Sequence, residues 1–357
     1  MHHKRKVLKT IAVVLVTFVV VFSVISFVFI KMNFDDVFGR TELGEYTAYL
    51  RYEDVEEQYD RELLSFVSGE NQLQGYLYGV ENTKGLVVIS HGLGGGAESY
   101  MAETCYFVDH GYQVFGYDNT GCYRSEGNNC VGLSQSVLDL DAALTYIEHE
   151  ERFKEMPVFL YGHSWGGYAV TAIFNYDHDI AASVSVAGFN EPMDMILEWT
   201  IDMMGGFAYV EYPYIYLYQL MLFGKNANMS AVDGINRTDA KVLIVHGNED
   251  TTVGYHGAGT IAYRDDITNE NVQYKICDRK NQNGHNNLFM SLDAIAYSEE
   301  IDAEYEKLYE QHNGDIPKEI EAQFYSNVDK AKMNELDDAF MQDVVAFYES
   351  TQAFSTN

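Results

Sequence analysis

The sequence has few basic residues and lacks the cysteine spacings that bind metals. Five of its 23 lysines and arginines lie in the first 31 residues, where there is no acid, so the rest of the chain carries 18 basic and 54 acidic residues. A surface this acidic repels phosphate backbones and anionic lipid headgroups, which argues against nucleic acid as a partner. The four cysteines include no CxxC pair and give no support to a metal or redox site. Cys122 and Cys130 are close enough in sequence to form a disulfide if the chain is exported.

The chain begins with a short basic segment followed by an uncharged apolar run. Residues 11–30 have no charged side chain and no polar face, and twenty helical residues span about 30 Å, the thickness of the bilayer's hydrocarbon core. The run ends without the small-residue pattern of a signal-peptide cleavage site, which favours an uncleaved anchor over a signal peptide or a buried core helix. Because basic flanks remain cytoplasmic, Lys4 to Lys9 predict a cytoplasmic N-terminus and an extracytoplasmic remainder.

Beyond residue 61, apolar runs typical of buried strands alternate with amphipathic helices. This rhythm predicts an α/β fold, with a mostly parallel twisted sheet covered by helices on both faces. A hairpin is expected over 63–79, and the last amphipathic segment, near 333–350, is expected to dock on the sheet. The predicted divisions are a tail and anchor (1–31), a stalk (32–61) and one domain (62–357) that contains a cap (190–238) and an acidic helical insertion (291–332).

The segment GHSWGG contains a serine framed by glycines between a predicted strand and a predicted helix. Gly162 and Gly166 lie two residues before and two after Ser164, which is the G-x-S-x-G spacing. A sharp strand-to-helix turn needs glycines there, because larger side chains would collide across it. The turn would present the Ser164 hydroxyl beside a helix N-terminus, and we therefore predict that Ser164 is a nucleophile.

A serine nucleophile needs a base, and the base needs an orienting acid. In a parallel sheet these groups are expected after later strands, at the same edge. The run KVLIVHGNED reaches Asp250, and VQYKICDRKNQNGH reaches His285. The order Ser164, Asp250, His285 predicts a catalytic triad. Glu249 is the second choice for the acid and Asp278 a further rival, while His246, His256 and His312 are set aside as bases.

The glycine-rich segment HGLGGG, residues 91–96, follows the first predicted parallel strand. A backbone with few side chains can approach a substrate closely, and we expect the amides of Leu93 and Trp165 to form an oxyanion hole. The alternatives are an ordinary turn or a phosphate loop, and the second lacks the GK[ST] signature.

Together, HGLGGG, GYDNTGCYRSEG, GHSWGG, VLIVHGNED and NGHNN resemble the α/β-hydrolase superfamily, in particular its serine aminopeptidase-like and monoacylglycerol lipase-like branch. The resemblance covers residues 62–290 and about 333–350. It implies Ser164 as nucleophile, Asp250 as acid, His285 as base, and Leu93 and Trp165 as oxyanion donors, with no metal or cofactor. One loop departs from the family pattern D-x-R-G-x-G-x-S, because Asn119 and Thr120 stand where Arg and Gly are expected.

The sequence is compatible with three functions: a membrane-anchored esterase or lipase, an aminopeptidase-like peptidase, and a non-catalytic surface module. The methionines and tyrosines of the predicted cap suit an apolar wall that admits an acyl chain, or they only pack the cap on the sheet. A peptidase would need a carboxylate to bind the substrate amine, and the cap offers Glu191, Asp194, Glu198 and Asp202. The expected partners are a small or lipid-like ester or a short peptide, together with the bilayer through residues 11–30. A bacterial cell surface fits this combination.

Overall fold

An eight-stranded sheet forms the centre of the fold, and the computed structural model describes residues 2–352 of the chain. The strands follow the order β1-β2-β4-β3-β5-β6-β7-β8 across the sheet. Strands β1, β2 and β4 pair antiparallel, and all pairs from β4 to β8 are parallel. The strands are β1 (Arg61–Ser68), β2 (Asn71–Tyr78), β3 (Leu86–Ser90), β4 (Gln113–Tyr117), β5 (Val158–His163), β6 (Ala182–Val186), β7 (Lys241–Gly247) and β8 (Val272–Cys277). The predicted hairpin and the mostly parallel sheet are therefore confirmed.

Helices cover both faces of this sheet. They are α1 (His2–Val37), α2 (Tyr52–Val55), α3 (Met101–Asp109), α4 (Gln135–His149), α5 (Trp165–Ala172), α6 (Pro192–Met204), α7 (Ala208–Phe223), α8 (Ala231–Ile235), α9 (Leu292–Gln311), α10 (Lys318–Ser326), α11 (Lys330–Met333) and α12 (Asp338–Gln352). Because side chains alternate along a strand, Leu86 and Val88 pack with α4 and α5, while Val87 and Ile89 pack with α3 and α12. The last helix docks on the sheet, and its buried Tyr348 hydroxyl donates to the Leu160 carbonyl at 2.8 Å.

The long apolar helix α1 leads into a segment that lies along the domain. In the described residues α1 is the one helix long and apolar enough to cross a membrane, and its last turns bury Ile30 and Phe34. After α1, the Arg40 guanidinium donates to three carbonyls of the loop 123–127, and Thr41 pairs with Cys122. Within residues 32–61, where the sequence predicts a stalk, Arg40 and Thr41 thus pack against the loop that follows β4.

Helices α6 to α8 occupy the predicted cap, and α9 to α11 occupy the predicted acidic insertion. The insertion contacts the segment after α1, where Lys330 forms an ion pair with Asp54 at 2.8 Å. In the loop after β4, the Cys122 and Cys130 sulfur atoms lie 3.4 Å apart, and both are free thiols. This separation exceeds the length of a disulfide bond, about 2.05 Å.

Candidate active site

Strand β5 turns into α5 at Ser164, whose backbone is strained. Its φ is 58° and its ψ is −114°, a conformation that costs a residue with a side chain of order 1–3 kcal/mol. A Cβ atom at Gly162 would lie 2.2 Å from the Gly166 carbonyl oxygen, and one at Gly166 would lie 1.8 Å from the Ser90 carbonyl oxygen. Both glycines are therefore required by the close backbone approach across this turn, for the steric reason expected from the sequence.

Ser164, His285 and Asp250 form a continuous hydrogen-bonded chain. His285 Nε2 lies 2.9 Å from Ser164 Oγ, and His285 Nδ1 lies 2.8 Å from Asp250 Oδ2. Because the carboxylate can only accept, Nδ1 carries the proton and Nε2 is left to accept from the serine hydroxyl. These three side chains, predicted from loops after β5, β7 and β8, thus meet at the carboxyl edge of the sheet.

The buried carboxylate of Asp250 is held in place and kept ionised by its hydrogen-bond partners. Its second oxygen accepts the backbone amides of Thr252 and Val253, each at 2.9 Å. Burial on its own would raise the pKa of this carboxyl, but the hydrogen bond and charge of His285 and the Val253 amide outweigh burial and hold the pKa below its ordinary value. The rival acids Glu249 and Asp278 are both exposed.

The candidate oxyanion donors border the same cavity. Leu93, Trp165 and Ser164 line a pocket of about 490 Å³ together with His285. Within the described part of the chain, neither the Leu93 nor the Trp165 backbone amide donates to another group. Two unengaged amides beside a serine hydroxyl are the arrangement expected of an oxyanion hole.

A buried hydrogen-bond network behind Ser164 was not anticipated from the sequence. His163 Nε2 lies 3.0 Å from the His285 carbonyl oxygen and must donate to it, so Nδ1 accepts the Tyr100 hydroxyl at 2.9 Å. The same hydroxyl accepts the Gly92 amide at 3.0 Å. Burial, with the nearby charge of His285, lowers the pKa of His163 to about 3, so this imidazole is neutral. The network joins the HGLGGG loop to the loop that carries His285, and the histidine inside GHSWG was the available signal.

The loop that departs from the family pattern is held by hydrogen bonds from Asn119 and Thr120. Asn119 donates to His91 Nε2 through both its backbone amide and its side-chain amide, at 3.0 and 2.9 Å. Thr120 donates to the buried Asp139 carboxylate through its amide and its hydroxyl. Asparagine and threonine at these positions therefore tie the loop to the HGLGGG segment and to α4.

The acids of the cap are mostly engaged in structural contacts. Glu198 accepts the backbone amides of Gly254 and Ala258 and so fastens α6 to the Asp250 loop. Asp194 accepts the Tyr263 hydroxyl at 2.8 Å, and Glu191 accepts the Asn228 side-chain amide; Asp202 is exposed. None of these four is among the described residues that line the 490 Å³ pocket, where Glu103 is the acid present. From the cap, Met195 and Trp199 line this pocket.

Comparison with known proteins supports the assignment of the fold. Residues 81–225 match the model of the family described as serine aminopeptidase, S33. The chain is 28% identical over 151 residues to the quorum-quenching protein AidA of Acinetobacter baumannii, which covers 40% of this chain and 50% of that protein. It is 32% identical over 94 residues to caffeoylshikimate esterase of Arabidopsis thaliana, which covers 26% of this chain and 28% of that protein. The chain thus spans half or less of the length of these curated relatives.

A solved esterase shares the architecture over most of the chain. The structure of esterase Pf2001 from Pyrococcus furiosus aligns with a TM-score of 0.53 at 16% identity and covers 77% of this chain and 99% of that one. At this identity the similarity establishes the fold. Together with the family match over residues 81–225 and the sheet order, it shows that the chain has the α/β-hydrolase fold.

Proposed function

We propose that this protein is a membrane-anchored serine hydrolase that cleaves carboxylic esters. The observation that carries the proposal is the hydrogen-bonded chain from Ser164 Oγ to His285 and from His285 to Asp250. It is supported by the strained backbone at Ser164, because strain at a serine beside two unengaged amides is typical of a catalytic turn and unusual in a merely structural one.

In the proposed reaction, Ser164 Oγ attacks the ester carbonyl carbon while its proton passes to His285 Nε2. The amides of Leu93 and Trp165 hold the negative oxygen of the tetrahedral intermediate. Collapse of this intermediate expels the alcohol, which takes the proton from His285, and leaves an acyl-enzyme. Water then attacks the acyl carbon with His285 as base, and the acid and free Ser164 are released. Asp250 remains ionised throughout and stabilises the imidazolium.

Ester cleavage is preferred to aminopeptidase activity because three of the four cap carboxylates have other partners and none of the four lines the pocket. An amine-binding acid should face the pocket, whereas Glu198 is held by two backbone amides. Glu103 does line the pocket, but burial raises its pKa to about 7, which disfavours the charged form that an amine-binding carboxylate needs. Two of the similar proteins are named as esterases, which adds support for the same choice.

The test compares nitrophenyl acyl esters with aminoacyl-naphthylamides, using the wild type and Ser164→Ala. Ester turnover that is lost in Ser164→Ala, together with a fluorophosphonate adduct on Ser164, is the expected result. Turnover of the amides alone would favour the peptidase, and turnover of neither class without an adduct would favour a non-catalytic module.

The anchor and its orientation belong to the same proposal. We infer that residues 11–30 of α1 cross the bilayer, with the basic N-terminus in the cytoplasm and the hydrolase domain outside, at a bacterial cell surface. A membrane-impermeant fluorophosphonate should then label the protein in intact cells. Labelling that occurs only after lysis would contradict this orientation.

A further inference from the structure

The cap helix α7 has its polar and apolar residues reversed relative to a helix of a soluble protein. Its one charged side chain, Glu211, is 5% exposed, and Gln219 is fully buried. The outer face instead presents large apolar side chains, among them Val210, Leu217 and Met221, the last 69% exposed. A helix that buries its polar residues and exposes its apolar ones is suited to a lipid environment.

The contacts between α1 and α7 indicate how deep the exposed apolar face of α7 would lie in a bilayer. Phe22 and Phe27 of α1 each pack edge to face on Tyr214 of α7, at 5.8 Å between ring centres. In addition, the Ser26 hydroxyl donates to the Glu211 carboxylate at 3.1 Å. Phe22 lies eight residues before the end of the apolar run at residue 30, which corresponds to about 12 Å along the helix. If residues 11–30 span the bilayer, the first half of α7, as far as Tyr214, therefore lies within its outer leaflet, whereas Tyr218 packs on Phe34, beyond the end of the apolar run.

An apolar groove opens between α1 and the cap at the level where the apolar run ends. Its volume is about 70 Å³, and it is separated from the catalytic pocket by α6. Met195 of α6 faces the catalytic pocket, Thr200 faces the groove, and Trp199 lines both. The groove is lined by Phe29, Ile30, Asn33, Phe34, Val37 and Phe38 of α1 and by Ile196, Trp199, Thr200, Met203, Met204, Glu211 and Ile215 of the cap.

We propose that the cap is embedded in the outer leaflet and that this groove receives an acyl chain of a bilayer lipid, whose ester enters the catalytic pocket past Trp199. The inference rests on the proposed function and specifies its substrate class. The lipid is an uncharged acyl ester, since a formal net charge of −31 disfavours an anionic headgroup at the entrance. The transmembrane helix then forms one wall of the substrate site as well as an anchor.

The test uses the full-length chain in phosphatidylcholine nanodiscs, with dioleoylglycerol as the bilayer-held substrate and p-nitrophenyl acetate as the soluble one. Met203→Trp fills the groove from an exposed position. We expect the ratio of dioleoylglycerol turnover to acetate turnover to fall about tenfold or more. Met32→Trp is the matched control, because Met32 is also an exposed methionine but does not line the groove; this control should leave the ratio unchanged.

The outcomes separate this inference from the proposed function. Acetate turnover that depends on Ser164, without dioleoylglycerol turnover or with a ratio that Met203→Trp leaves unchanged, would overturn the groove while leaving the esterase intact. Absence of turnover of both substrates by the wild type would contradict the esterase itself, and the inference with it.

Membrane insertion of the cap has its own measurement. A tryptophan placed at the exposed Val210, in the first half of α7, should be quenched by brominated phosphatidylcholine, and one placed at the exposed Tyr309 on α9 should not. Equal quenching at the two positions, relative to the wild type, would show that α7 lies outside the lipid.

Discussion

Tyr100 has a hydroxyl that joins the two loops on either side of Ser164. It accepts the Gly92 amide and donates to His163, which in turn holds the His285 carbonyl. Tyr100→Phe should therefore leave two buried polar groups without partners and cost about 1–3 kcal/mol of unfolding free energy. We also expect kcat for a nitrophenyl ester to fall by about tenfold, because the loops bearing Leu93 and His285 lose a shared support.

Tyr117→Phe is a suitable control for that variant. The Tyr117 hydroxyl is equally buried but donates to Ser90 within the sheet, at 3.2 Å. Tyr117→Phe should lose a similar amount of unfolding free energy, measured by denaturant unfolding, with little change in kcat. Equal kinetic effects of the two substitutions would show that Tyr100 has no positioning role.

Glu103 gives the stability of the protein a predictable pH dependence. Burial raises the pKa of this carboxyl from 4.5 to about 7. Because the folded state binds the proton more tightly than the unfolded state, its contribution to stability is present below pH 4.5 and is lost as the pH rises through about 7. Glu103→Gln should remove this loss, which amounts to about 3 kcal/mol at most. The measurement is the midpoint of thermal unfolding at pH 5 and at pH 8. If the midpoint of Glu103→Gln falls between these pH values as much as that of the wild type, Glu103 is not the source of the pH dependence.

At the scale of elements, the turn between β5 and α5 tolerates no side chain at its glycines. A Cβ at Gly166 would meet the Ser90 carbonyl oxygen at 1.8 Å, and backbone atoms of the central sheet cannot move aside. Gly166→Ala should therefore prevent folding or abolish ester turnover. Gly206→Ala, between α6 and α7, meets no atom within 4 Å and should express and unfold like the wild type. Recovery of well-folded, active Gly166→Ala would show that the turn does accommodate a side chain at this position.

Local sequence patterns predicted the elements because each is determined by nearby residues. Apolar runs marked β3 to β7, and the glycine spacing marked the turn at Ser164. The joining of Ser164, Asp250 and His285 followed from the rule that parallel strands end at one edge of the sheet. The contacts of His163 with His285, and of Glu198 with the Asp250 loop, could not be predicted in this way. They depend on how distant loops pack, and a single sequence carries no local signal for that packing.

At the scale of the whole molecule, α1 and α7 together expose a large apolar surface, whereas the chain as a whole is strongly acidic. Deletion of residues 1–38 would uncover the surfaces that Ile30 and Phe34 bury, next to the already exposed face of α7. Apolar patches of this kind mark surfaces that contact other molecules or lipid. We expect the truncated chain to remain bound to detergent and to aggregate when the detergent is removed, as measured by size-exclusion chromatography with light scattering.

The same truncated chain with Val210, Leu217 and Met221 replaced by lysine supplies the comparison. These side chains are exposed on α7, so their replacement should spare the core and give a soluble monomer that still hydrolyses a short nitrophenyl ester. A truncated chain that is monomeric without detergent before any lysine is introduced would mean that α7 needs no lipid. The acidic domain would then be held at the membrane by α1 alone, and the cap would be an ordinary cover over a water-filled pocket.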